Sequence, residues 1–147
     1  MTVISASDLE PIPYDLDQLP ALRNFKIQLL PWLHETIATL SLLRRLLSSS
    51  TTSGIETLDI EIILNDDSRV KNLFSSDADW SALDEVLTGE KFVSLRKVIL
   101  GFTLEREFDG NKLECKSLIL SYVDILFPML RTLTSRQCML ETYVEVC

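Results

Sequence analysis

The residues able to do chemistry are few and scattered. His34 is the only histidine in 147 residues, so a histidine-rich metal site is excluded and any catalytic triad would have to use that one side chain. It falls on the polar strip of an expected helix, where an exposed surface histidine needs no further role. Cys115, Cys138 and Cys147 are an odd set without C-x-x-C spacing. The four glycines, Gly54, Gly89, Gly101 and Gly110, build neither a dinucleotide loop nor a phosphate loop, and there is no G-x-S-x-G elbow. Asp66-Asp67 and Asp77-x-Asp79 have the charge to attract calcium, but their loop lacks the central glycine and closing glutamate of a calcium-binding hand. They read as helix caps in a solvated acidic loop. Catalytic, metal and cofactor sites are therefore all read as none. The residues leave one alternative open, a small α/β enzyme with Cys115 or Cys138 as nucleophile and His34 as base.

Composition narrows the partner class. Fourteen basic against 22 acidic residues give a net charge of −8, which repels phosphate backbones and anionic lipid headgroups. Neither nucleic acid nor membrane is an expected partner. Residues 1–11 lack both the basic flank and the apolar block of a secretion signal, and no stretch nears 18 uncharged apolar residues. The cysteines are expected to be reduced thiols, placing the chain inside the cell, in cytoplasm or nucleus.

Periodicity supplies the elements. Residues 1–18 carry Asp8, Glu10, Asp15 and Asp17, no basic residue and two prolines, and read as an irregular acidic lead-in. From 19 to 147 the pattern is one α/β domain. Leu22, Phe25, Ile27 and Leu29 alternate with Asn24, Lys26 and Gln28 as a first strand. Pro31 opens a helix carried to Leu47 by Leu33, Ile37, Leu40 and Leu43, and SSSTTS (48–53) follows as a loop. Ile55, Leu58, Ile60 and Ile62 alternate with Glu56, Asp59 and Glu61 as a second strand. Residues 65–79 read as a long polar connection with one irregular turn near Val70 to Phe74. Trp80, Leu83 and Leu87 predict a helix ended by Gly89, with Asp79 or Ser81 as its cap and Asp84 spaced from Ser81 as a capping box needs. Val98 to Phe102 form a third strand, Leu113 to Leu126 a helix that Pro128 must end or kink, and for the fourth strand Met139 to Val146 is better than the competing register that opens at Phe127 to Arg131.

Three segments share [LF]-x-x-L-R: Leu19 to Arg23, Phe92 to Arg96 and Phe127 to Arg131. Anchored on Leu22, Ile55, Leu95 and Leu130, the spacings are 33, 40 and 35 residues. Strand-plus-helix units of that length predict a short, irregular leucine-rich-repeat-like solenoid of 3–4 parallel strands with helices on one face. Alternation then puts Lys26, Gln28, Asp59, Glu61, Lys97, Glu141, Tyr143 and Glu145 on the uncovered face, the expected place for a protein partner. A solvated face with no partner fits the same alternation. So short a stack leaves its edges uncapped, so marginal stability or self-association is expected.

The segment Trp80-Ser81-Ala82-Leu83-Asp84-Glu85-Val86-Leu87, then Phe92 and Ser94-Leu95-Arg96-Lys97-Val98, resembles the C-terminal leucine-rich region of fungal F-box-like proteins, over residues 19–147. That resemblance implies a non-catalytic protein–protein interaction module, the target-recognition part of such a protein. No F-box-like helical segment precedes residue 19, so adaptor docking is not carried over.

Overall fold

The computed structural model describes residues 2–5, 23–29, 43–45, 47–48, 54–75, 77–132 and 138–147. In chain order they form β1 (Thr2–Ser5), β2 (Asn24–Leu29), β3 (Thr57–Asp66), α1 (Asp67–Phe74), α2 (Asp77–Thr88), a 3-10 turn (Glu90–Phe92), β4 (Lys97–Asp109), α3 (Lys112–Val123), α4 (Pro128–Thr132) and β5 (Met139–Val146). Residues 43–45 and 47–48 are also helical, and Leu43 and Leu47 are fully buried. The rest of the expected first helix, with His34, lies outside the described residues.

The strands make one sheet in the order β1-β2-β3-β4-β5, and every neighbouring pair is parallel. Parallel crossovers are almost always right-handed. An order that never reverses therefore puts the helices of the β3–β4 and β4–β5 crossovers, α1 to α4, on the same side of the sheet. Burial agrees. Phe25 and Ile27, then Leu58, Ile60, Ile62 and Leu64, then Val98, Leu100, Phe102 and Leu104 are fully buried. They join one cluster with Val70, Leu73 and Phe74 of α1, Trp80, Leu83 and Leu87 of α2, Ile119 and Val123 of α3 and Leu130 of α4. Each such side chain contributes roughly 1.5–3 kcal/mol by leaving water. The alternate residues of β3, from Asp59 to Ile63, are only half-buried.

Four expectations need correction. The lead-in is not wholly irregular, because Thr2–Ser5 pairs with Phe25–Gln28 as β1 and brings the sheet to five strands. Residues 67–74 are not an irregular turn but α1, started by the Asp66 carboxylate, which accepts from the Arg69 N–H at 2.8 Å. The next helix begins at Asp77, so Asp84 sits mid-helix and is not half of a capping box.

The fourth concerns the strand openers. Glu56 N–H donates to Arg23 O at 2.7 Å, Arg96 N–H to Glu56 O at 2.8 Å and Met139 N–H to Arg96 O at 2.8 Å, so these positions stack in one column. Cys138, not Arg131, precedes the strand in the last unit. Phe127 to Arg131 is instead the start of α4, and the row Asn24, Thr57, Lys97, Met139 lengthens its last step beyond the expected 35 residues. Proline fits the first helical position, and the Arg131 guanidinium ties the segment back by donating from Nε to Leu126 O at 2.7 Å and from Nη2 to Val123 O.

Candidate functional site

The sheet face away from the core is built by strand register. Lys26, Asp59, Ile99 and Glu141 form one row across β2 to β5, Gln28, Glu61, Gly101 and Tyr143 the next, and Ile63, Thr103 and Glu145 a third. Lys97 stands beside Met139 one row earlier. All seven expected contact residues, with Glu141, therefore fall on one surface. Sequence alternation located them because a strand turns its side chains over with period two.

Glu61 is the hub of that surface. Its Oε2 takes the Lys26 ammonium at 3.2 Å and the Gln28 amide at 3.4 Å, while Oε1 accepts from Thr103 Oγ1 at 3.3 Å. The hydrogen bond to Glu61 holds the Lys26 pKa above the usual lysine value. Lys97 pairs with Glu141 at 3.3 Å, in the open. Both lysines are thus partnered within the face. Asp59 is less well served: its Oδ1 is buried without a hydrogen-bond partner among the described residues. Burial, with Glu61 adding, pushes its carboxyl up despite Lys26 nearby.

The raised Asp59 carboxyl makes stability depend on pH. A carboxyl raised above its ordinary 3.8 binds its proton more tightly folded than unfolded, so its contribution to stability is lost as pH rises through that range. Asp59→Asn is expected to raise the melting temperature at pH 7 and to lose that gain near pH 3. Asp66 behaves oppositely. Burial opposes its charge, but the Arg69 amide and the Ser68 hydroxyl outweigh it and hold the pKa low, so its stabilisation is lost on acidification. Thermal melts of Asp59→Asn and Asp66→Ala against pH check the pair of signs, with the Asp66→Ala loss expected at pH 7 and absent near pH 2.

Sequence reasoning missed the feature that shapes the face. Tyr143 lies directly opposite Gly101, and its ring covers the glycine so closely that a Cβ built there would stand 2.1 Å from Cζ and 2.4 Å from the hydroxyl oxygen. Any other residue at 101 would lift the ring. Burial, then the charges of Glu61 and Asp59, raise the phenol pKa. A glycine inside an apolar strand is the available signal, since it marks close approach of another group.

The helical side offers less. A cleft of about 240 Å³ is lined by Phe74, Trp80, Tyr122, Ile125, Phe127 and Pro128 among others, with no carboxylate, amine, thiol or imidazole. Trp80 is only 5 % exposed and donates from Nε1 to Leu73 O at 2.8 Å. Among the described residues no three His, Cys, Asp or Glu side chains could share a metal ion. No described helix is long and apolar enough to cross a membrane.

The two candidate nucleophiles differ in exposure. Cys115 is buried on the core side of α3, and burial, with Asp67 adding, raises its thiol pKa. Cys138 precedes β5 and is half-buried. At neutral pH, iodoacetamide is expected to label exposed Cys147 first and Cys115 last. Mass spectrometry of timed digests checks that order; preferential labelling of Cys115 would instead favour an activated nucleophile.

No family model, no curated protein and no solved structure matches the chain.

Proposed function

We propose that this protein is a non-catalytic protein-interaction module, a short leucine-rich-repeat-like solenoid whose uncovered sheet face docks another protein. The observation that carries the reading is the combination of unreversed parallel strand order with a polar, internally paired face on the side opposite the core. A parallel sheet normally has both faces covered. Here one face presents amides, carboxylates, lysines and one tyrosine beside Ile63, Ile99 and Thr103, with Lys26, Gln28 and Thr103 held by Glu61 and Lys97 by Glu141. Preorganised polar groups of that kind cost little ordering on binding. Resemblance of Trp80 to Val98 to the leucine-rich part of fungal F-box-like proteins supports target recognition as the role.

The test compares quantitative capture by the wild-type chain, by Asp59→Lys/Glu61→Lys on the open face and by Glu85→Lys on the exposed side of α2. Proteins retained by wild type and Glu85→Lys but reduced about tenfold or more by the open-face pair are expected. Equal capture by all three contradicts the reading.

A further inference from the structure

β5 is the last strand of the sheet, so among the described residues one side of its backbone has no neighbouring strand. Which amides are free follows from two hydrogen bonds. Met139 N–H donates to Arg96 O at 2.8 Å and Cys147 N–H to Leu104 O at 3.0 Å, both toward β4. With the period of two, Glu141, Tyr143 and Glu145 also turn their amides inward. Leu140, Thr142, Val144 and Val146 turn theirs outward.

The side chains along this edge are unfinished in the same way. The buried row of β4, Val98, Leu100, Phe102 and Leu104, continues onto β5 as Leu140, Thr142, Val144 and Val146, but there Val146 is 39 % exposed and Leu140 and Val144 are half-buried. On the other face β5 shows Glu141 and Glu145, both exposed. Lys97 reaches Glu141 from the β4 side. The Tyr143 ring is folded inward over Gly101, away from the free edge.

We propose that the outer edge of β5 takes up, as a sixth strand, an extended segment of another protein in which apolar residues alternate with lysine or arginine. The apolar residues extend the row of Leu140, Val144 and Val146. The basic ones stand beside Glu141 and Glu145, where cross-strand opposite charges are favourable. Strand addition draws its affinity from main-chain hydrogen bonds and its specificity from alternate side chains. A second copy of this chain fits poorly, because each copy carries −8 and antiparallel pairing centred on Tyr143 sets Glu141 of each against Glu145 of the other. This binding mode shares Glu141 and Glu145 with the open face but does not use Asp59 or Glu61.

The test uses the full chain and a fluorescein-labelled peptide of about nine residues alternating valine and lysine, followed by anisotropy at about 50 and 150 mM salt. Saturable binding is expected, weakened about tenfold or more when lysine is replaced by glutamate in the peptide, by Glu141→Lys/Glu145→Lys, and by Thr142→Pro. Proline is tolerated on an edge strand where its nitrogen faces outward, and circular dichroism confirms that the variant is folded. A peptide N-methylated at alternate residues keeps its charge, loses half its backbone donors and leaves the protein unaltered, so its expected weakening does not depend on any variant's folding. Asp59→Lys/Glu61→Lys should bind the peptide within about twofold of wild type if the edge is the site. Undiminished binding by folded Thr142→Pro or by the N-methylated peptide would overturn the proposal, as would loss with the open-face pair. Sedimentation showing a dimer that Thr142→Pro dissociates would assign the edge to a second copy and overturn it too.

Discussion

Asp84→Ala is expected to destabilise the protein by about 3 kcal/mol, read as a melting temperature lower by roughly 6–12 °C. The carboxylate is 2 % exposed in the middle of α2, and it accepts the Met129 N–H at 2.8 Å and the Leu130 N–H at 3.0 Å. Those amides belong to the first turn of α4, where a helix has donors with no partner of its own. Phe127, immediately before α4, has a φ of 54° and no oxygen in its side chain to serve as a cap. Asp84 therefore caps a helix 45 residues further along the chain. Alanine would strand two amides and a small void. An asparagine side chain would keep one acceptor oxygen, so Asp84→Asn should cost about half as much. Urea titrations of both variants check the values, and a loss under about 1 kcal/mol for alanine would show that α4 does not depend on this carboxylate.

Phe74→Ala should cost about 4 kcal/mol, the upper part of the range for large core truncations. Phe74 is 3 % exposed and its ring stacks on Tyr122 with centroids 4.7 Å apart and planes 4° from parallel. It also faces Trp80 at 6.1 Å and tilts against Phe102 at 5.6 Å, so one ring joins α1, α2, α3 and the sheet. Phe74→Leu keeps most of the volume and loses the aromatic contacts, for about 1–1.5 kcal/mol. By contrast Glu145→Ala, on the exposed face of β5, is expected to stay within about 0.5 kcal/mol of wild type. The difference between the two faces is itself a result: chemical denaturation should find large costs on one side of the sheet and small ones on the other.

The strands were legible because their signal is local. Phe25 and Ile27, or Leu58, Ile60 and Ile62, announce a buried face through their own spacing, and Met139 to Val146 does so even at the edge. What escaped was decided at a distance. Thr2–Ser5 is only four residues long, and it is a strand because β2 offers it a partner. α1 has eight mostly polar residues, too few to hold a helix alone, and it forms because Asp66 caps it and Val70, Leu73 and Phe74 find the core. Phe127 to Arg131 shares its pattern with Phe92 to Arg96, yet a proline at the first helical position and the distant Asp84 carboxylate make it helical.

The candidate surface divides the same way. Its membership followed from alternation, whereas its geometry followed from register. Glu61 becomes a hub only because Gln28 and Gly101 stand in its row, with Lys26 and Thr103 in the rows on either side. Tyr143 and Gly101 are far apart in the chain, and nothing in either strand alone sets one opposite the other.

The sidedness of the sheet can be measured directly by placing single cysteines along β4, from Val98 to Leu104, in a chain whose own three cysteines are replaced by serine or alanine. Thiol labelling under native conditions should alternate: fast at Ile99 and Thr103, slow by about tenfold or more at Val98, Leu100, Phe102 and Leu104. Uniformly slow labelling at both sets of positions, the pattern of a strand covered on both faces, would contradict it.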